Sequence, residues 1–241
     1  MKAIKFWRYR ISAMLPYLAA SAVIWLMCVL SVRDSQARAF YDLFSDAMGG
    51  TAHNGELDLF GVLRFFGSFF AGIFLGMAGT VSVSEKSPYF TFPREKSFSS
   101  WWRKTVFSVL LWCIIYSALG LIVCATFGVA ETLSLYELLS LAAYPSALCA
   151  AMCIMCLLRF LIGQKPAAAT VTAVLAVSGL VGGKLKHFNI FMLGVYGMAK
   201  QLTAFEELVT VLLVDWLAVL VVLFGSRIVG DRLKKGGRYF D

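Results

Sequence analysis

The sequence predicts an all-α, polytopic membrane protein with six transmembrane helices and cytoplasmic N- and C-termini. The chain has 60% hydrophobic residues, only 15% charged residues and a mean hydropathy of +0.78, which exceeds the apolar content of an ordinary soluble domain. A bilayer core requires roughly 20 apolar residues per helical crossing. Six windows meet that requirement and leave only short connections, so residues 1–241 form a single transmembrane domain. The predicted crossings lie at about 11–31, 59–81, 105–127, 138–161, 166–183 and 208–226.

The basic residues predict the orientation. Most of the 22 Lys and Arg residues fall in the segments that are cytoplasmic if the N-terminus is inside. This is the positive-inside bias, and it requires an even number of crossings. Basic loops beside anionic headgroups explain the net charge of +8 without a nucleic-acid partner.

The first two crossings have distinct features. The apolar run of the first crossing is longer than that of a cleaved signal peptide, so we expect a signal-anchor helix. Between the crossings, a short helix around 39–48 is expected to form an extracytoplasmic cap or spacer. The second crossing carries small residues that favour close helix contacts, at Gly67, Gly72, Gly76 and Gly79. Arg64, near its outer end, is expected to extend toward the interface.

The longest cytoplasmic connection, 82–104, mixes charges, prolines and aromatic residues. The composition favours an amphipathic element on the membrane surface, with Trp101 and Trp102 at headgroup level. The segment is either an interfacial anchor or a docking element for a cytoplasmic protein.

The predicted helices contain two kinds of chemically reactive side chain, namely cysteine thiols and one deeply placed carboxyl group. The six cysteines all fall within crossings and are expected to be free thiols, without a disulfide framework. Cys149, Cys153 and Cys156 share one helix face, where close helix packing is the favoured interpretation over a soft-metal site. Asp215 is the one acidic residue deep in a crossing, where it either makes a structural hydrogen bond or lines a substrate path.

The chain resembles the membrane subunits of ABC-2 exporters. Three features match. Glu85 is an acidic residue soon after the second crossing, Pro93 is followed by the basic residue Arg94, and Lys104 opens the third crossing. Arg94 follows Pro93 directly and the spacing from Glu85 is short, which departs from the usual pattern. The apolar stretch 188–198 is too short to cross the bilayer. It is either a short re-entrant element, which the resemblance favours, or a plain periplasmic loop with an apolar patch. The resemblance assigns coupling to an ATPase to Glu85, Pro93, Arg94, Trp101, Trp102 and Lys104.

The resemblance implies the partners as well. The chain has no phosphate-binding G-x-x-x-x-G-K-S/T loop, so ATP and Mg would be bound by a separate cytoplasmic ATPase subunit. A second permease subunit, identical or related, would complete the translocation path. The expected location is the cytoplasmic membrane of a bacterium, and the chain itself is not expected to be an enzyme.

Two alternatives remain open at this point. A substrate-binding component of a vitamin-type, energy-coupling-factor importer also has about six helices, and it predicts a ligand pocket near the outer face. An intramembrane enzyme would need titratable residues gathered at one depth, which the sequence lacks. Neither the transported substrate nor the subunit stoichiometry follows from these residues.

Overall fold

The computed structural model describes residues 2–32, 38–48, 59–82, 98–182, 197–198 and 204–225. Over these ranges the chain forms seven α-helices, and a six-residue π-helix, Met77–Ser82, continues the third of them. The α-helices are α1 (Lys2–Leu30), α2 (Phe40–Met48), α3 (Leu59–Gly76), α4 (Phe98–Phe127), α5 (Leu135–Ile162), α6 (Gln164–Gly182) and α7 (Phe205–Phe224).

Four of these helices are long and apolar enough to cross a membrane. Their spans agree with the predicted second, third, fourth and sixth crossings and cover Phe60–Thr80, Trp101–Phe127, Leu135–Arg159 and Phe205–Phe224. α1 carries a shorter apolar stretch, Met14–Leu30, and α6 places a 19-residue helix over the predicted fifth crossing. The protein is therefore a helical, multi-pass membrane protein, and the full set of six crossings stays a prediction.

Helix α5 lies at the centre of the bundle, where it packs against α3, α4, α6 and α7. It begins with a reciprocal capping box in which the Ser134 hydroxyl accepts from the Glu137 N–H and the Glu137 carboxylate accepts from the Ser134 N–H. It ends at Gly163, whose φ of 93° is readily adopted only by glycine. Because α6 begins at the next residue, the two helices form a tight hairpin.

Helix α2 packs on α1, α3 and α4 and confirms the short helix predicted around 39–48. Its apolar face, formed by Leu43, Phe44 and Ala47, is buried. The backbone before it pairs with the loop after α4, with Phe40 N donating to Val129 O at 3.0 Å. Glu131, also from that loop, accepts a hydrogen bond from the Tyr41 N–H at 2.7 Å. These contacts fasten the cap to the end of the bundle.

The structure corrects the predicted start of the third crossing. α4 begins at Phe98, seven residues before position 105, so Trp101 and Trp102 belong to a transmembrane helix instead of a separate surface element. Of the predicted re-entrant segment 188–198, only Gly197 and Met198 are within the described residues, and both are buried. A Cβ added at Gly197 would lie 3.1 Å from the Phe65 ring, so the chain passes directly against α3 there.

Candidate functional site

Asp215 is buried at the contact between α5 and α7, with 4% of its surface exposed. The Ser146 hydroxyl on α5 donates to the Asp215 carboxylate at 2.9 Å, and the same hydroxyl lies 3.1 Å from the Ala143 carbonyl. A hydroxyl has one proton to donate, so it bonds either to an ionised carboxylate or to the carbonyl while a protonated Asp215 donates to it. The geometry accommodates both protonation states of the carboxyl group.

The surroundings of Asp215 are otherwise apolar. It lies on the buried face of α7 together with Leu208, Val211, Val219 and Val222. Within the part of the chain that the structure describes, no Lys or Arg side chain forms an ion pair with it. Pro145 directly precedes Ser146 in α5. It has no N–H group, so it cannot donate a backbone hydrogen bond to the preceding turn. Asp215 therefore faces a helix that is locally short of one backbone hydrogen bond.

The predicted coupling residues fall into two groups. Glu85, Pro93 and Arg94 lie outside the described residues. Trp101 and Trp102 are buried in α4, whereas Lys104 is exposed. Both indoles pack inside the protein. Their position at headgroup level stays a prediction.

Trp102 makes a specific contact with the last helix. It is fully buried, and its indole Nε1 donates to the main-chain carbonyl of Val222 at 2.9 Å. Val222 lies seven residues after Asp215 on the same buried face of α7, about 10 Å along the helix axis. The start of α4 is thus attached to α7 within two turns of the buried carboxylate.

A second buried hydrogen-bond network joins α1, α3, α4 and α5, and no pattern in the sequence predicts it. The Tyr116 hydroxyl donates to the Ser68 carbonyl at 2.6 Å, and the Tyr144 hydroxyl donates to the Ser68 hydroxyl at 3.1 Å. Trp25 of α1 donates from Nε1 to the Tyr116 carbonyl at 3.0 Å, and its ring lies within 5.5 Å of both tyrosine rings, centroid to centroid. Polar groups at this depth need protein partners, and these residues supply one another.

The predicted glycine contacts are confirmed at three of four positions. A Cβ at Gly72 would lie 2.8 Å from the Tyr116 ring, and one at Gly76 would lie 2.4 Å from Trp112 Nε1. Gly79 lies close to Tyr17, with a corresponding distance of 3.2 Å, but a Cβ at Gly67 would meet nothing within 4 Å. Gly72 and Gly76 thus permit the aromatic side chains of α4 to reach the backbone of α3, where Trp112 Nε1 donates to the Gly72 carbonyl at 3.0 Å.

All six cysteines are buried and free, as predicted. Cys113 Sγ lies 3.4 Å from Met152 Sδ, and Cys156 Sγ lies 3.6 Å from Met77 Sδ. Across the described ranges, no group of three or more His, Cys, Asp or Glu side chains is arranged to hold a metal ion. Cys156 of the stripe therefore contacts a methionine of the π-helix, and Met152, also on α5, contacts Cys113 of α4.

A cavity of about 630 Å³ opens where α3 and the π-helix meet α5 and the start of α6. Its walls are mainly apolar, and Gln164 and Lys165 contribute the polar groups. By the predicted orientation, this end of the bundle is the cytoplasmic one.

Comparison with models of known protein families found no match, and comparisons with curated proteins and with solved structures found no match either.

Proposed function

We propose that this chain is the membrane-spanning permease subunit of an ABC-2-like exporter, located in the cytoplasmic membrane of a bacterium. Six crossings with both termini inside belong to the proposal. A separate ATPase subunit hydrolyses ATP, and two permease subunits, identical or related, form the path between them. The contact between Trp102 and Val222 carries the proposal, because it connects the predicted coupling segment to the buried carboxylate.

The coupling segment joins two helices that cross the membrane. The chain leaves the π-helix at Ser82 and enters α4 at Phe98, and Glu85, Pro93 and Arg94 lie between these positions. An ATPase that presses on this segment acts on both helices at once. Single-turn π-helices often occur at functional sites, and this one lies directly before the coupling residues.

Displacement of α4 is passed to α7. Trp102 is four residues from the start of α4, fully buried, and bonded to the α7 backbone. A rigid helix moves as a unit, so a shift of α4 at this point moves α7 near Val222. Packed interfaces of this kind change between discrete arrangements instead of deforming continuously.

The movement of α7 changes the position of Asp215 relative to α5. Ser146 of α5 and Asp215 of α7 form a polar contact between these two helices. Breaking it frees a carboxylate inside the membrane, where it needs water, substrate or another partner. Asp215 is therefore proposed to line the translocation path.

The position of the cavity supports export. The 630 Å³ cavity lies beside the α5–α6 hairpin, on the side predicted to be cytoplasmic. A substrate that is exported from the cytoplasm or from the inner leaflet enters from this side.

Purification of the tagged full-length chain from its host in mild detergent tests the proposal. We expect a stoichiometric ATPase to co-elute and to hydrolyse ATP. The double charge reversal Glu85→Arg and Arg94→Glu should abolish this association and transport while leaving membrane insertion intact. The matched control reverses the ion pair of the outer cap, Arg38→Asp and Asp46→Arg, and should retain the ATPase.

Two results would contradict the proposal. If the chain elutes alone even after crosslinking in membranes, it does not work as an ABC permease. If the Glu85 and Arg94 reversal transports normally, these residues do not couple the chain to an ATPase. An importer scaffold among the co-eluting proteins would support the energy-coupling-factor alternative.

A further inference from the structure

The cavity at the α5–α6 hairpin has the properties of a ligand site. Its volume of about 630 Å³ is within the range of small-molecule pockets, about 300 to 1,000 Å³. Phe74 of α3 and Met77 of the π-helix line it together with Met155 of α5 and Ala168 of α6. Side chains from four elements therefore line an apolar space that can accept a hydrocarbon chain.

Among the described residues that line this apolar space, Lys165 carries the positive charge. Lys165 is exposed in the first turn of α6. Gly163, with its positive φ, directly precedes this helix and sets where it begins. Among the described residues, no carboxylate forms an ion pair with Lys165. Gln164, next to it, adds an amide that can donate or accept hydrogen bonds.

The combination of apolar walls and one ammonium group selects for a particular ligand chemistry. The geometry points to a binding site for an anionic amphiphile, with an acyl chain between Phe74 and Met155 and a phosphate or carboxylate at Lys165. An ammonium attracts such a head group strongly near the headgroup region. The site itself does not depend on the proposed function, but its role as the entry site for an exported amphiphile does.

Photolabelling tests the site directly. The purified full-length chain in neutral detergent is incubated with a fatty acid that carries a diazirine in its tail, illuminated and digested. We expect labelled peptides from the cavity walls, around Phe74–Ala78 and around Met155. Labels spread evenly over lipid-facing helices such as α7 would overturn the site.

Variants test the charge and the walls separately. Lys165→Gln should weaken labelling about fivefold, which corresponds to about 1 kcal/mol, and Lys165→Arg should restore it. Arg103→Gln removes an exposed charge on the same predicted side outside the cavity and should leave labelling unchanged. Ala168→Trp should fill the cavity and abolish labelling. Equal labelling of the Lys165→Gln and Arg103→Gln variants would overturn the assignment of Lys165.

Competition identifies the source of the head group. Unlabelled phosphatidylglycerol that displaces the probe identifies a membrane phospholipid, whereas displacement by fatty acids alone identifies a single-chain carboxylate. Phosphatidylcholine with the same chains should compete poorly, and equal competition by it would overturn the anionic preference.

The two proposals fail independently. Cavity labelling that depends on Lys165, in a chain with no ATPase partner, would retain the site and reject the exporter. A co-eluting ATPase together with labelling that does not depend on Lys165 would support the exporter and reject the site.

Discussion

The indole of Trp102 donates a hydrogen bond to the main-chain carbonyl of Val222, which joins the beginning of α4 to the end of α7. Apart from this contact, α7 packs mainly on α5. Trp102 is therefore an internal connection between the predicted coupling segment and the helix that carries Asp215.

Replacement of Trp102 by Phe should separate this connection from ordinary packing. The variant keeps an aromatic ring but leaves the Val222 carbonyl without its donor, which should cost about 1 kcal/mol of stability. The temperature at which the detergent-solubilised chain loses its monodisperse size-exclusion peak measures the effect. ATP-driven transport should fall by more than this loss of stability explains.

The matched control is Trp216→Phe, because Trp216 lies on the exposed face of α7 with 48% of its surface accessible. We expect it to behave like the wild type. Equal thermal stability and transport in the two variants would show that the Trp102 bond transmits nothing.

Three glycines of α3 should respond differently to alanine. Gly76→Ala introduces a methyl group 2.4 Å from Trp112 Nε1 and should destabilise the chain by about 1 to 3 kcal/mol. Gly72→Ala should destabilise it by a smaller amount, since the nearest side-chain atom lies 2.8 Å away. Gly67→Ala meets nothing within 4 Å and should be neutral or stabilising by up to about 1 kcal/mol. Thermal unfolding in one detergent ranks the three, and a destabilised Gly67→Ala variant would contradict the packing described here.

The buried tyrosine network should contribute more to stability than to function. Tyr116→Phe removes the donor to the Ser68 carbonyl and should cost about 1 to 2 kcal/mol. Tyr144→Phe removes the weaker bond to the Ser68 hydroxyl and should cost less. Because both tyrosines bond to Ser68, the double variant should lose less than the sum of the two single losses. Strict additivity in thermal unfolding would mean that the two bonds are independent.

The sequence was sufficient for the helices because the signal for a membrane crossing is local. Apolar length and flanking residues predicted the positions of α3 to α7 within a few residues, apart from the start of α4. The inward orientation of Asp215 follows from the same local chemistry, since a carboxylate avoids lipid. The close contacts of Gly72 and Gly76 follow as well, since small residues permit close approach of helices.

Contacts between helices were not accessible in this way. The partners Trp102 and Val222 are 120 residues apart, and Tyr116 and Ser68 are 48 residues apart. Hydropathy places a residue in a helix but does not identify the residues that it contacts on other helices. Tryptophans in a basic segment are therefore interpreted as interfacial anchors. The cavity at Lys165 likewise depends on how α3, the π-helix, α5 and α6 meet.

Asp215 offers the sharpest test of function, because its structural and transport roles predict different results. Asp215→Asn keeps a group that can bond to Ser146 but cannot ionise, so we expect near wild-type thermal stability together with loss of most ATP-driven transport in reconstituted vesicles. Ser146→Ala leaves the buried carboxylate without its donor and should lower stability by about 1 to 3 kcal/mol. The asparagine variant is therefore the one in which transport and stability should separate. Normal transport by a stable Asp215→Asn variant would reduce the residue to a structural hydrogen bond between α5 and α7.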